Sequence, residues 1–369
     1  MDISVSNADE LDKRIRYFIE LPSANNVSFQ RLALELFAHQ YACNPGYRLY
    51  CDRFGQTPES VHGWLDVPAI PTSAFGLTRL ACFPAEHTQV TFLSSGTTGA
   101  QGARSRHELT STALYDASLL AHFRACVMPD KTSIQMLFLA PSFAQAPQSS
   151  LSYMLSKLSQ TLGTKRDAFL IRDDKLDFES AAGMLRTVAE PVAVIGTAFA
   201  FVHFFERCEK EGLRVKLPRG SRVVETGGFK GRSREVSGER LYRWFSDILG
   251  IPRVFCVSEY GMCELGSQWY DANLADYFAE REARVGTKIG PHWTRIAVVD
   301  PVTGKPVREG RQGLLQVFDL SNRGSVAAVL TADVARIVSG GFELIGRFAG
   351  APPKGCSIAI DALLEHGAR

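Results

Sequence analysis

Thr91-Phe-Leu-Ser94-Ser95-Gly96-Thr97-Thr98-Gly99 runs a short apolar strand straight into a loop made only of Ser, Thr and Gly. Glycine lets the backbone bend so that successive N–H groups point at one spot, which makes a nest for an anion. The hydroxyls add donors, and a threonine oxygen can also ligate magnesium. The GxxxxGK[ST] pattern of the P-loop is absent, so this is a different phosphate loop if it is one. The competing view is a polar linker, which the strand directly before it disfavours.

Outward from this loop the pattern is α/β, from about Thr88 to Asp300. Val90-Thr-Phe-Leu93, Ile134-Gln-Met-Leu-Phe-Leu139, Val192-Ala-Val-Ile195 and Arg253-Val-Phe-Cys-Val257 fit buried strands. Helix-period stretches, Leu151 to Leu162 and Val236 to Leu249, lie between them. Such alternation predicts parallel strands with crossover helices. Before the loop, Leu11 to Ile19 and Ser28 to Tyr41 space their apolar residues as amphipathic helices, with Ser28 a candidate N-cap. Pro68 to Phe75 predicts an extended connector, because each proline disfavours helix at the residue before it. After Gly286, Ile296 to Asp300, Gly313 to Phe318, Val326 to Leu330 and Ala335 to Val338 are short strand candidates for a small antiparallel sheet or barrel.

The expected division is thus a helical segment packed on the core (1–85), an α/β core binding nucleotide and acid (86–285), a β-rich subdomain (286–345), and a hinge-like element with a tail (346–369). A domain-size prior of roughly 150 residues suggests two compact units for 369 residues.

Composition excludes some classes. With 41 basic against 39 acidic residues and no long like-charge run, no nucleic-acid partner is expected. Arg232-Ser-Arg-Glu235 with Glu239-Arg240 reads as a solvated helix face. The eight cysteines (43, 51, 82, 126, 208, 256, 263 and 356) include no CxxC pair, so structural zinc is not expected. No apolar run reaches about 18 residues, and Met1-Asp-Ile-Ser lacks the basic flank and apolar core of a signal peptide. The expectation is a cytoplasmic protein with reduced thiols and no membrane span.

Ser94 to Gly99 resembles the phosphate-binding loop of the adenylate-forming superfamily. Further matches follow in order. Glu259-Tyr-Gly-Met-Cys-Glu264 resembles its YGxTE segment, with Cys263 for Thr. Thr331-Ala332-Asp333 resembles TGD, with Ala for Gly. Ile345-Gly346-Arg347 resembles the GR hinge element, with Phe348 where Asp is usual. The closer resemblance is to the acyl-protein synthetases of the bacterial-luminescence type. It is carried by Leu32 to Phe37, Ile70 to Phe75, Ser149 to Met154, Ile195 to His203, Glu225 to Gly231 and Gly355-Cys356-Ser357.

The resemblance implies the large α/β domain of an adenylate-forming enzyme: parallel-sheet layers plus a small β-rich subdomain, lacking the usual mobile C-terminal domain, because the chain ends at Arg369 soon after the hinge element. It implies ATP and Mg2+ as cofactors. Nucleotide contacts fall on Ser94, Ser95, Gly96, Thr97, Thr98, Gly99, Gly227, Gly228, Tyr260, Gly261, Asp333 and Arg347. Glu264 and Thr98 are the metal ligands, since a hard cation wants oxygen. Asp333 would accept from ribose hydroxyls. Lys230 would offset charge at the α-phosphate, and Cys356 would attack the acyl-adenylate, a thiolate being a good nucleophile.

His203 and Phe229 line the substrate in this scheme. The bland alternatives are a core aromatic for Tyr260, solvated surface for Lys230 and Arg347, a surface carboxylate ending a strand for Glu264, a packed core residue for His203, and a small buried hydrophobe for Cys356. The phenylalanines around His203 either line an acid channel or fill the core.

The implied function is ATP-dependent activation of a carboxylic acid, fatty or otherwise apolar, followed by transfer to a protein thiol. The acceptor is Cys356 itself or a partner such as a reductase or carrier protein. One alternative is an aryl or alkyl acid activator that delivers to coenzyme A or a carrier protein, with Cys356 inert. Another is a nucleotide-binding protein that has lost catalysis, suggested by Cys263, Ala332 and Phe348.

Overall fold

The computed structural model describes residues 8–23, 25–94, 104–227 and 236–348. The chain divides into two compact units: residues 1–121, 262–268 and 290–369 in the first, and 122–261 with 269–289 in the second.

In the second unit the apolar runs become a parallel sheet. Its strands lie in the order Ala168–Phe169, Gln135–Leu139, Val192–Thr197, Arg222–Thr226, Cys256–Tyr260. Trp269–Asp271 and Lys288–Ile289 extend it antiparallel. Strands buried on both faces need unbroken apolar sequence, which Val192-Ala-Val-Ile195 supplies. At Gly196 an added Cβ would sit 2.8 Å from Leu139 Cβ, so this strand pair tolerates only glycine there.

The connecting helices carry their own start signals. Ser149, Asp177, Thr197 and Ser237 cap Ser150–Leu162, Phe178–Thr187, Ala198–Glu211 and Gly238–Leu249, each side chain accepting a backbone N–H three residues on. Gly212 and Gly250 end the last two in the left-handed conformation.

The strand expected from Arg253 begins later. Arg253–Phe255 is a 3-10 turn after Pro252, held by Phe255 N–H to Pro252 O at 2.9 Å, and the strand starts at Cys256.

In the first unit Thr294–Val299, Gln312–Asp319, Ala328–Val338 and Gly341–Arg347 form an antiparallel sheet, with Ile70–Pro71 paired parallel to Ala328–Val338. The two short strands expected at Val326–Leu330 and Ala335–Val338 are one continuous strand. Thr331 Oγ1 donates to Leu315 O at 2.9 Å and accepts Asp333 N–H at 3.2 Å, so the polar interruption stays in the ladder across a register shift.

The helices Ala8–Glu20, Asn26–Cys43 and Pro45–Arg53 belong to the same unit. Asn25, not Ser28, caps the second: its Oδ1 accepts the Ser28 N–H at 2.8 Å, which leaves Ser28 inside the first turn. Leu11, Ile15, Leu32, Leu36 and Phe37 are buried. Arg323 meets Asp12 in a bidentate pair at 2.5 Å, and Gln40 bonds Asn322 O, Arg323 O and the Ala327 N–H. The N-terminal helices are thereby tied to the turn that follows strand Gln312–Asp319. The expected connector is a two-residue strand followed by the 3-10 turn Thr72–Gly76.

Among the described residues the cysteines form no disulfide, and no helix is long and apolar enough to cross a membrane.

Candidate active site

The strand Val90–Leu93 pairs antiparallel with Arg106–Leu109. At the open end of this hairpin Ser94 N–H donates to Ser105 O at 3.0 Å, and Ser105 N–H donates to Ser94 Oγ at 2.9 Å. Arg104 Nε adds a bond to Ser94 O at 2.5 Å. The base of the Ser/Thr/Gly loop is therefore closed on both sides by its own stem. Ser95, Gly96, Thr97, Thr98 and Gly99 lie outside the described residues, as do Gly228, Phe229, Lys230 and Cys356.

One strand of that hairpin reaches the acidic motif. His107 is buried, and its Nδ1–H donates to Cys263 O at 2.8 Å. Burial disfavours the imidazolium and holds the pKa of His107 below its ordinary value. On the next residue, Glu264 O accepts from Asn322 Nδ2 at 2.9 Å, while the Glu264 side chain is itself buried.

The motifs around Asp333 and Arg347 also meet. These residues are cross-strand partners on Ala328–Val338 and Gly341–Arg347, with Arg347 Nε 3.8 Å from Asp333 Oδ1. Phe348 N–H donates to Ala332 O at 2.9 Å, which carries the pairing one residue further.

In the second unit the predicted residues lie at the carboxyl ends of the parallel strands, where open α/β sheets bind their ligands. Register aligns Thr197 with Thr226, and Thr226 with Glu259. Thr226 Oγ1 donates to the buried Glu259 carboxylate. Gly227 follows at φ +62°, a conformation that a side chain would strain. Tyr260 is buried with its ring edge-on to Trp269, and Gly261 is exposed.

His203 is exposed on helix Ala198–Glu211, its ring 4.4 Å from that of Phe199, so the packed-core alternative does not hold for it. Phe201, Phe204 and Phe205 fill core, with Phe201 and Phe205 packed on Phe245.

A cavity of about 170 Å³ opens in the first unit among Asp12, Lys13, Arg16, His107, Asn322 and Arg323. Leu109, Ala113, Leu114 and Tyr115 also line it, so charged and apolar groups share the wall.

No group of three or more His, Cys, Asp or Glu among the described residues could hold a metal unaided. Magnesium carried by a nucleotide does not need one. It takes phosphate and water oxygens plus one or two carboxylates, and a single buried Glu264 fits that demand.

The family profile described as acyl-protein synthetase, LuxE, matches residues 16–364. The chain belongs to the LuxE acyl-protein synthetase family. Two relatives of this LuxE chain are named long-chain-fatty-acid–luciferin-component ligase. The one from Aliivibrio fischeri is 23% identical over 353 residues, covering 91% of this chain and 88% of the relative. The one from Vibrio harveyi is 24% identical over 318 residues, covering 82% and 78%.

Among solved structures, an open conformation of 2-hydroxyisobutyryl-CoA ligase with 2-HIB-AMP and CoA superposes with a TM-score of 0.66 at 14% identity. It covers 88% of the LuxE chain and 76% of the ligase. ATP-bound MatB from Rhodopseudomonas palustris gives 0.50 at 15% identity. There the match takes in 72% of the LuxE chain and 49% of MatB, about half its length. At such identities the likeness concerns fold, and the adenylate-forming α/β fold expected from the sequence is the fold found.

The sequence did not single out His107 or Asn322. His107 stands eight residues beyond Gly99, and Asn322 lies in a polar run between two apolar strands. Those were the available signals.

Proposed function

We propose that this LuxE-family enzyme activates an apolar carboxylic acid, of the long-chain fatty class for which its relatives are named, and passes the acyl group to a protein thiol. One observation carries most weight. The His107–Cys263 bond joins the hairpin bearing the Ser/Thr/Gly loop to the residue preceding Glu264. The stem of that loop and the backbone beside Glu264 are thus tied together, which supports Mg·ATP as co-substrate.

In the first half-reaction a carboxylate oxygen attacks the α-phosphorus of ATP and pyrophosphate leaves. Both reactants are anionic, so alignment and charge compensation must come from the protein. Glu264 and Thr98 would hold magnesium, which when bound supplies Lewis-acid stabilisation of phosphate charge. The loop amides of 95–99 and Lys230 would offset charge on the non-bridging oxygens. Asp333 would accept from the ribose, with Arg347 beside it. Gly227, Gly228, Tyr260 and Gly261 would take the adenine, and His203 with Phe229 the acid.

In the second half-reaction a thiolate attacks the mixed-anhydride carbonyl, forming a thioester and releasing AMP. Burial pushes the thiols of Cys51, Cys82, Cys208 and Cys256 up to about 12, and Cys126 higher still. These are protonated at neutral pH and poor nucleophiles. Cys356 is the proposed acceptor, handing the acyl group to a reductase or carrier protein.

The test is acyl labelling. The enzyme incubated with ATP and radiolabelled long-chain acid is expected to retain hydroxylamine-sensitive label. Cys356→Ser is expected to lose the label while still exchanging pyrophosphate. If Cys356→Ser instead passes acyl groups to coenzyme A at the wild-type rate, the tail thioester is excluded.

A further inference from the structure

The segment Met262 to Gln268, which carries Glu264, is gripped at several consecutive points. Besides His107 on Cys263 O and Asn322 on Glu264 O, Gly266 N–H donates to Asp319 Oδ2 at 3.0 Å. Ser267 Oγ donates to Asp319 Oδ1 at 2.8 Å. Asp319 also receives the Ser321 N–H at 3.0 Å and the Ser321 hydroxyl at 2.6 Å. The Ser267 hydroxyl is shared further, with Ser118 at 2.9 Å and the Trp293 indole N–H at 3.1 Å. At Gly266 an added Cβ would lie 2.5 Å from Ser321 Oγ, so segment and turn are in close contact.

We propose that Asp319 and Asn322 are positioning residues that hold the Glu264 carboxylate in place for the metal–nucleotide. This rests on the assignment of Glu264 above. A fully buried carboxylate met by neutral donors is an expensive way to stabilise a fold, since similar-sized apolar groups often do as well. Its four donors come from the acidic segment itself and from the turn that also supplies Asn322. What the arrangement secures is the backbone on either side of Glu264, and through it the direction of the side chain. A carboxylate already held in its ligating position gives up little freedom on binding, and second-shell partners of metal ligands are typically worth about ten- to a hundred-fold in metal affinity.

The experiment titrates Mn2+ into the purified full-length chain with ATP present, following bound metal by electron paramagnetic resonance. Wild type, Glu264→Gln, Asp319→Asn, Asn322→Ala and Ser267→Ala are compared. Thermal melting confirms that each is folded, and Ser267→Ala, which removes a single donor to Asp319, serves if Asp319→Asn does not fold. The clamp variants are expected to raise the half-saturating Mn2+ concentration about ten-fold or more, to leave metal-free ATP affinity within about two-fold, and to regain pyrophosphate release at high Mg2+.

Unchanged Mn2+ affinity in folded clamp variants, with Glu264→Gln impaired, would overturn this proposal alone. Equal losses with and without metal would make the clamp merely structural. Wild-type Mn2+ affinity in Glu264→Gln would instead remove the assignment on which the proposal rests.

Discussion

Two buried aspartates, one in each unit, show how differently the molecule handles an interior carboxylate. Asp271, on the antiparallel extension of the parallel sheet, meets Lys288 Nζ at 2.7 Å and Arg253 at 3.6 Å. Asp319, beside the Glu264 segment, meets backbone and serine donors. Cations answer Asp271 with charge. Amides and hydroxyls answer Asp319 with direction, and burial there pushes the carboxyl above its usual range. The first arrangement ties neighbouring strands together, and the second fixes a loop.

Breaking the charged site should have the largest effect, and on stability. Lys288→Met leaves Asp271 and its neighbour Ser258 O without the ammonium. It is expected to cost about 3–5 kcal/mol, read from urea unfolding, with Mn2+ affinity of the folded fraction unchanged. A fall in metal affinity of the folded fraction would erase the distinction between the two sites.

Glu264→Gln should act in the opposite sense. Stability is expected to stay within about 1 kcal/mol while pyrophosphate release drops about 10²–10³-fold, the range for removing one group that stabilises transition-state charge. Steady-state assays alongside thermal melts measure both. A variant that melts early and turns over normally would reverse the comparison.

The clamp should be visible in pH. His107 has a depressed pKa in the folded protein, so it binds fewer protons there than in the unfolded chain. Its contribution to stability is present above the ordinary histidine range and is lost as pH falls through that range toward the folded value. His39, also lowered by burial, acts with the same sign. Comparing melting midpoints at neutral and mildly acid pH, His107→Gln is expected to lose a few degrees less than wild type on acidification. An identical acid response would mean that His107 contributes nothing there.

The smallest effect belongs to the pair of exposed Arg347 with half-buried Asp333, at 3.8 Å. Arg347→Ala is expected to change stability by less than about 1 kcal/mol, because solvent screens such pairs. A larger loss in chemical denaturation would make this pair structural.

Which parts of this were legible in the sequence follows from the range of the interactions involved. Val192 to Ile195 announced a doubly buried strand because its neighbours on both faces are apolar whatever they are. The break expected near Thr331 was wrong for a local reason: that hydroxyl rejoins the ladder. Asn25 was overlooked as a cap because Ser28 is an equally good cap by type. The motif residues came from resemblance, and the stem of the loop and Glu264 belong to separate pieces of sequence.

Their supports were invisible for a different reason. His107 and Cys263 are 156 residues apart in the chain, and Asn322 and Glu264 are 58 apart. Nothing in the spacing of one announces the other. His203 was ambiguous because one helix turn carries both a buried phenylalanine face and an exposed edge.

The most direct measurement is ATP–pyrophosphate exchange by the wild-type chain across carboxylic acids of increasing length. Exchange that depends on added acid, strengthens toward long apolar chains and disappears in Glu264→Gln is the predicted result. Tight nucleotide binding with no exchange for any acid would contradict the account.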